Sequence, residues 1–276
     1  ITLTKNFFSK IHEWFFTSLI MFIYIIVSIF IVSKYLQKFS GYEKKTSIFS
    51  AAPGALGPLM ILAEDEKKTD LSHVATSHLI RLIIIITVFP FLVQGFYEVD
   101  SIKTNYEISN SQNISDLLLL ILISILLILL FDKFKVPAAL LSGTLIASGF
   151  LQISDIASYQ LPTNIINYCL LILGASVGCR FADKTFNEIA KNSFHSFIAT
   201  ILLIVLGVFA ALIAGLVINK NFFTLLLSYC PGGIYEVAVI AIFFDLDPEF
   251  VSFHHIIRLL MILFVVPLIL KFLKKT

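Results

Sequence analysis

Apolar residues run through this chain in long blocks, at 83–93, 117–131 and 197–218 among others. A run of about 20 apolar residues is long enough to cross a bilayer as a helix. The blocks lack the strict alternation of a transmembrane β-strand. The pattern predicts membrane helices at roughly 14–33, 78–96, 115–132, 136–152, 163–179, 194–218 and 251–272. Two further apolar segments, 47–63 and 222–244, are each interrupted by a Pro-Gly pair. The polar stretch 98–115 reads as a loop. The expected fold class is all-α: a polytopic transmembrane helical bundle.

The punctuation of these blocks occurs twice. Ser50-Ala-Ala-Pro53-Gly54 is followed by His78-Leu-Ile-Arg81, and Ser228-Tyr-Cys-Pro231-Gly232 by His255-Ile-Ile-Arg258. The Pro-Gly pairs lie 178 residues apart and the His-x-x-Arg pairs 177 apart. Phe8, Phe16, Ser18 and Ile20 then fall on Phe186, Phe194, Ser196 and Ile198. This predicts a first repeat over 1–97, a connecting loop over 98–115 and a second repeat over 116–276. Residue 1 corresponds to residue 179, so the first repeat is expected to lack its opening two or three helices.

Composition supports the membrane assignment. Hydrophobic residues make up 58% of the 276 and charged residues 14%, with a mean hydropathy of +0.94. Soluble domains are nearer half apolar and a quarter charged. The formal net charge of +2 is not gathered into a basic domain, and no nucleic-acid partner is expected. Cys169, Cys179 and Cys230 lack metal-ligand spacing and read as structural. Membrane lipid is an expected partner, and a homo-oligomer is left open.

Charge placement bears on topology. Lys133 and Lys135, then Arg180, Lys184 and Lys191, then Lys271, Lys274 and Lys275 follow successive apolar segments. Basic loops favour the cytoplasmic side. These clusters share one side if 222–244 is a re-entrant hairpin that enters and leaves on the same face. Lys34, Lys38, Lys44, Lys45, Lys67 and Lys68 then join them around 47–63, while Asp245, Asp247 and Glu249 lie opposite. Each full repeat has five crossings in that arrangement, and the copies are inverted. If the broken segments cross fully, each repeat has six spans and the duplication is parallel.

Pro-Gly in an apolar segment ends or unwinds a helix, because proline lacks an N–H and glycine tolerates unusual dihedrals. Irregular backbone at membrane depth must be buried in protein or face a wet cavity. Pro53, Gly54, Pro231, Gly232 and Gly233 are therefore candidate substrate-binding positions, where a following half-helix presents its positive end. Glu236 is an ionisable group within a broken segment, suited to carrying a proton or binding a cation, or to pairing with Arg258. The first repeat has Pro58 in its place. Spacing of three puts His78 with Arg81, and His255 with Arg258, on one helix face. Three readings are open for them: an anion site, a proton relay, or a cap on carbonyls freed by the breaks. No metal ligand set, hydrolase motif or phosphate loop occurs, and no cofactor is expected. Gly174 and Gly178 suit close helix packing.

The stretch from Pro231-Gly-Gly-Ile-Tyr-Glu236, through Asp247-Pro-Glu-Phe-Val251, to His255-Ile-Ile-Arg258 resembles the AbrB family of bacterial membrane proteins. Lys135-Val-Pro137 to Gly143 and Leu173-Gly-Ala-Ser-Val-Gly178 are similar to motifs of its second repeat. The first copy departs from the pattern at Ala55 and Pro58. The resemblance implies a multi-pass protein of the bacterial inner membrane. It brings labels of gene regulation and of ammonia monooxygenase, and the name is shared with an unrelated soluble DNA-binding protein. A monooxygenase would need copper or iron ligands, which the sequence does not cluster. The sequence thus favours a secondary transporter or permease for a small anionic or polar solute. A membrane regulator without transport is the second reading, and a membrane enzyme the weakest.

Overall fold

The computed structural model describes residues 7–54, 56–64, 66, 68–96, 114–134, 139–154, 156 and 186–273, with 165, 168, 171, 172 and 175 between. Among these residues the regular elements are all α-helices. In chain order they are α1 (Phe7–Ser40), α2 (Lys44–Ala51), α3 (Leu56–Glu64), α4 (Leu71–Phe96), α5 (Ile114–Lys133), α6 (Ala139–Ile153), α7 (Phe186–Val217), α8 (Phe222–Tyr229), α9 (Ile234–Phe243) and α10 (Pro248–Leu273). Among the described residues five stretches are long and apolar enough to cross a membrane: Trp14–Ser40, Leu71–Gly95, Ile114–Lys133, Phe194–Val217 and Pro248–Phe272. The expected helical membrane bundle is what forms. The 163–179 segment with Gly174 and Gly178, Cys169, Cys179, the motif start at 135–138 and most of the loop 98–115 lie outside the described residues.

Packing gathers the chain into two compact units. One contains α5 and α6. Their backbones approach closely: a Cβ on Gly143 would lie 3.0 Å from the Ile128 amide nitrogen. Leu118, Leu122, Leu126 and Leu129 of α5 are exposed, whereas Ser124 is buried. The other unit contains α1 from Phe15 onward, α2–α4 and α7–α10.

In this second unit one plan occurs twice: a long helix, two short helices around a Pro-Gly break, and a second long helix. Equivalent positions do equivalent work. Asp70 and Asp247, 177 apart, accept from the amides of His73 (3.1 Å) and Phe250 (3.2 Å) and cap α4 and α10. Lys68 and Asp245, also 177 apart, take positive φ of 66° and 52° in the preceding turns. Pro90 and Pro267 lie inside α4 and α10 at the same spacing. Helix α4 begins seven residues before the apolar run at 78, because Asp70 caps it and its polar first turns pack on protein. Ser77 shares a 3.0 Å hydrogen bond with Ser196 on α7.

The short helices settle the form of the breaks. Eight residues rise about 12 Å, well short of a hydrocarbon core of about 30 Å. Lys45, at the start of α2, pairs with Glu66 beyond the end of α3 at 2.5 Å, and the Asp70 amide donates to Thr46 at 3.0 Å. The entry and exit of this segment are therefore side by side. In the second copy Lys220, before α8, pairs with Asp247, after α9. Both broken segments are hairpins that return to their starting end, and the fully crossing alternative is excluded.

Contacts between α1 and α7 fix the relation of the copies. Tyr24 donates to Leu203 O at 3.4 Å, and Tyr35 meets His195 Nδ1 at 3.2 Å. Moving forward along α1 moves backward along α7, so these equivalent helices run antiparallel. Val32, Leu36, Ala199 and Leu203 bury their side chains together in the same crossing, with Ala51 of the first hairpin. The two hairpins accordingly enter from opposite ends of the bundle.

Candidate functional site

In each hairpin the helix before the break stops with its last carbonyls lacking intrahelical donors. On the first hairpin, α2 stops at Ala51, and the chain passes Pro53 and Gly54 before α3 begins at Leu56. His78 Nε2 donates to Phe49 O at 3.0 Å. Arg81 donates through Nη1 to Ala52 O at 2.6 Å and through Nη2 to Ser50 O at 2.7 Å. On the second hairpin, α8 stops at Tyr229. His255 Nε2 donates to Leu227 O at 2.9 Å, the residue 178 after Phe49. Arg258 donates through Nη1 to Cys230 O and through Nη2 to Gly232 O, the latter at 2.6 Å. The duplicated His-x-x-Arg motif is thus the cap of the duplicated break. Both pairs sit one-third to halfway along their spanning helices, as the depth of the hairpins requires.

A carbonyl only accepts, so His255 carries its proton on Nε2, and Nδ1 accepts from Arg258 Nη2 at 3.1 Å. Both ring nitrogens are engaged. His254 points elsewhere: Nδ1 donates to Phe250 O at 2.9 Å, and Nε2 meets the Thr17 hydroxyl at 2.8 Å.

The glycines mark where the hairpin tips approach other elements. Gly54 has φ 113°, which side-chain-bearing residues rarely adopt, and a Cβ there would lie 2.7 Å from Arg258 Nη2. The first break therefore rests against the arginine of the second repeat. Reciprocally, a Cβ on Gly232 would lie 3.2 Å from Ile85 Cγ2, one turn beyond Arg81 on α4. Gly233 is the residue before α9, and a Cβ on it would collide with the Glu236 carboxylate. That carboxylate folds back over the start of its own helix. Among the described residues it has no hydrogen bond or ion pair, so the Glu236–Arg258 pairing is not formed.

Arg81 and Arg258 are 2% and 1% exposed, and neither pairs with a carboxylate among the described residues. The Tyr24 phenol and the Cys230 thiol lie within electrostatic reach of both guanidiniums. Tyr24 also packs edge-on against Tyr229, with ring centroids 6.3 Å apart. No group of three or more His, Cys, Asp or Glu side chains among the described residues could hold a metal. Sequence reasoning did not single out Tyr24, because one tyrosine in an apolar run carries no periodic signal. The Ser50 side chain gives no such signal either, although the motif contains it.

Fold and site together define a multi-pass helical membrane protein built around two opposed, broken-helix hairpins. The chain belongs to the AbrB family: the family model described as transition state regulatory protein AbrB matches residues 1–274. It is similar to the uncharacterized protein YhjN of Bacillus subtilis (strain 168), with 23% identity over 272 residues, which is 92% of this chain and 70% of that one. No solved structure matches. Neither the family description nor the relative's name denotes an enzyme.

Proposed function

We propose that this protein is a secondary transporter or permease for a small anionic solute in the bacterial plasma membrane. The observation that carries the reading is the pair of buried guanidiniums at the two hairpin tips without a carboxylate counter-charge among the described residues. An uncompensated buried charge is costly, even with carbonyl dipoles turned toward it. An anion between the tips offsets that cost. Opposed broken helices are also a recurrent transporter design, with the site where the repeats meet. Glu236, half-buried and unpaired among the described residues, supplies the group that couples a proton or a cation to the movement. The end of the bundle bearing Lys34, Lys38, Lys44 and Lys45 faces the cytoplasm by the positive-inside rule.

Uptake into proteoliposomes tests this. Wild-type protein should accumulate at least one of a broad set of small anions under a proton or sodium gradient. Glu236→Gln has no partner to lose among the described residues, and should fold normally while losing gradient dependence. The family description names a regulatory protein, which favours gene regulation without transport as the second reading. That reading wins if the wild type moves no solute while Arg258→Ala, purified in folded form, still abolishes a cellular phenotype.

A further inference from the structure

The two arginine caps are not alike. At the second hairpin Arg258 reaches two carbonyls and His255 Nδ1, and the Ser228 hydroxyl donates to Thr224 O at 2.8 Å. At the first hairpin the equivalent serine, Ser50, has a hydroxyl with no partner among the described residues, and Arg81 Nε has none among them either. Both residues are nearly fully buried, at 0% and 2% exposure. The two atoms belong to one corner of the structure, since Arg81 Nη2 donates to the carbonyl of Ser50 itself. Buried polar groups in native proteins are nearly always hydrogen-bonded, so two orphans at one place need an explanation. A donor left unpaired costs about 1–3 kcal/mol.

We propose that the Ser50 hydroxyl and the Arg81 Nε–H form the anion-binding edge of this protein, and that its ligand presents a small carboxylate group. The assignment rests on the transport reading only for what becomes of the ligand afterwards. Both atoms donate to an anion. Two donors of different geometry suit two oxygens of one planar group, and guanidinium edges match carboxylates in this way. A halide is a single spherical acceptor and lacks the planar pair of oxygens that matches a guanidinium edge. The first copy thereby holds the anion while the second copy contributes Glu236, a division that the repeat alone does not suggest.

The test compares acetate with chloride at fixed ionic strength on the purified full chain, read as the shift in thermal unfolding midpoint. Acetate should stabilise the wild type more than chloride does. Ser50→Ala removes a hydroxyl that bonds nothing among the described residues, so without acetate it should melt at or above the wild-type temperature. It should bind acetate at least about tenfold more weakly, as loss of a charge-assisted hydrogen bond implies. Ser228→Ala, whose hydroxyl already has a partner, should keep the full acetate response. An acetate shift no larger than that of chloride in the wild type, or one retained in full by Ser50→Ala, overturns the site. Acetate binding lost in Ser50→Ala, with no solute moved by wild-type proteoliposomes, upholds the site and removes the transport reading. Uptake with unchanged carboxylate affinity in Ser50→Ala does the reverse.

Discussion

At the scale of single residues, the breaks depend on glycines with different tasks. Gly54 combines a positive φ with the approach of Arg258, so Gly54→Ala incurs backbone strain of about 1–2 kcal/mol and displaces a buried guanidinium. A clear loss of melting temperature is expected. Gly57→Ala in α3, where a Cβ meets nothing within 4 Å, should leave the melt unchanged or raise it slightly. Equal effects of the two substitutions would contradict the contact between the first break and Arg258. Gly233 serves Glu236, whose carboxylate occupies the space a Cβ needs. Gly233→Ala should therefore reproduce the gradient defect of Glu236→Gln in uptake assays. The first copy has neither residue: Ala55 and Pro58 stand in their places, so the two differences are one. The duplicated motifs made these positions visible in the sequence. They left open whether His-x-x-Arg meets a ligand or the backbone, since the same donors serve either. The positions of Phe49 O, Ser50 O and Ala52 O in the first copy, and of Leu227 O, Cys230 O and Gly232 O in the second, show the backbone role.

Among the elements, the hairpins are held at their roots by charge pairs on opposite ends of the bundle, Lys45 with Glu66 and Lys220 with Asp247. A sequence of apolar residues around Pro-Gly is compatible with both crossing and returning. What decides is where the chain comes back, and that is set by contacts of more than 20 residues' separation. The helix starts offer a pH-dependent test. Burial pushes the Asp70 carboxyl up, but the His73 amide and ring, its hydrogen-bond partners, and the Ser72 amide outweigh this and hold it below the usual carboxylate value. A carboxyl lowered by folding stabilises above its unfolded value, and that contribution is lost as pH falls through the lowered value. Asp70→Asn should thus reduce stability near neutral pH, by an amount at the low end of the roughly 0.5–2 kcal/mol range for helix caps, since this side chain is half exposed. The difference from wild type should shrink in acid. A deficit that stays constant down to the acid limit would mean that the carboxylate contributes nothing through its charge.

For the whole molecule, the apolar blocks were enough to predict a helical membrane bundle, because no other element satisfies its backbone within lipid. The direction of each copy was less legible. Lysine placement favoured inversion, but a parallel duplication fitted the same apolar blocks. The long-range pairs of Tyr24 with Leu203 and Tyr35 with His195 decide for antiparallel α1 and α7, and neither pair leaves a trace in local sequence. The transport reading depends on this geometry, since two arginine-capped tips meet in the interior only if their hairpins come from opposite sides. Site-directed labelling in a membrane tests it most directly. Glu43, at the root of the first hairpin, and Asn219, at the root of the second, are both exposed. In a chain with Cys169, Cys179 and Cys230 replaced by serine, Glu43→Cys and Asn219→Cys should react with a membrane-impermeant thiol reagent from opposite sides of the bilayer. Labelling of both from the same side would contradict the opposed hairpins, and with them the site between their tips.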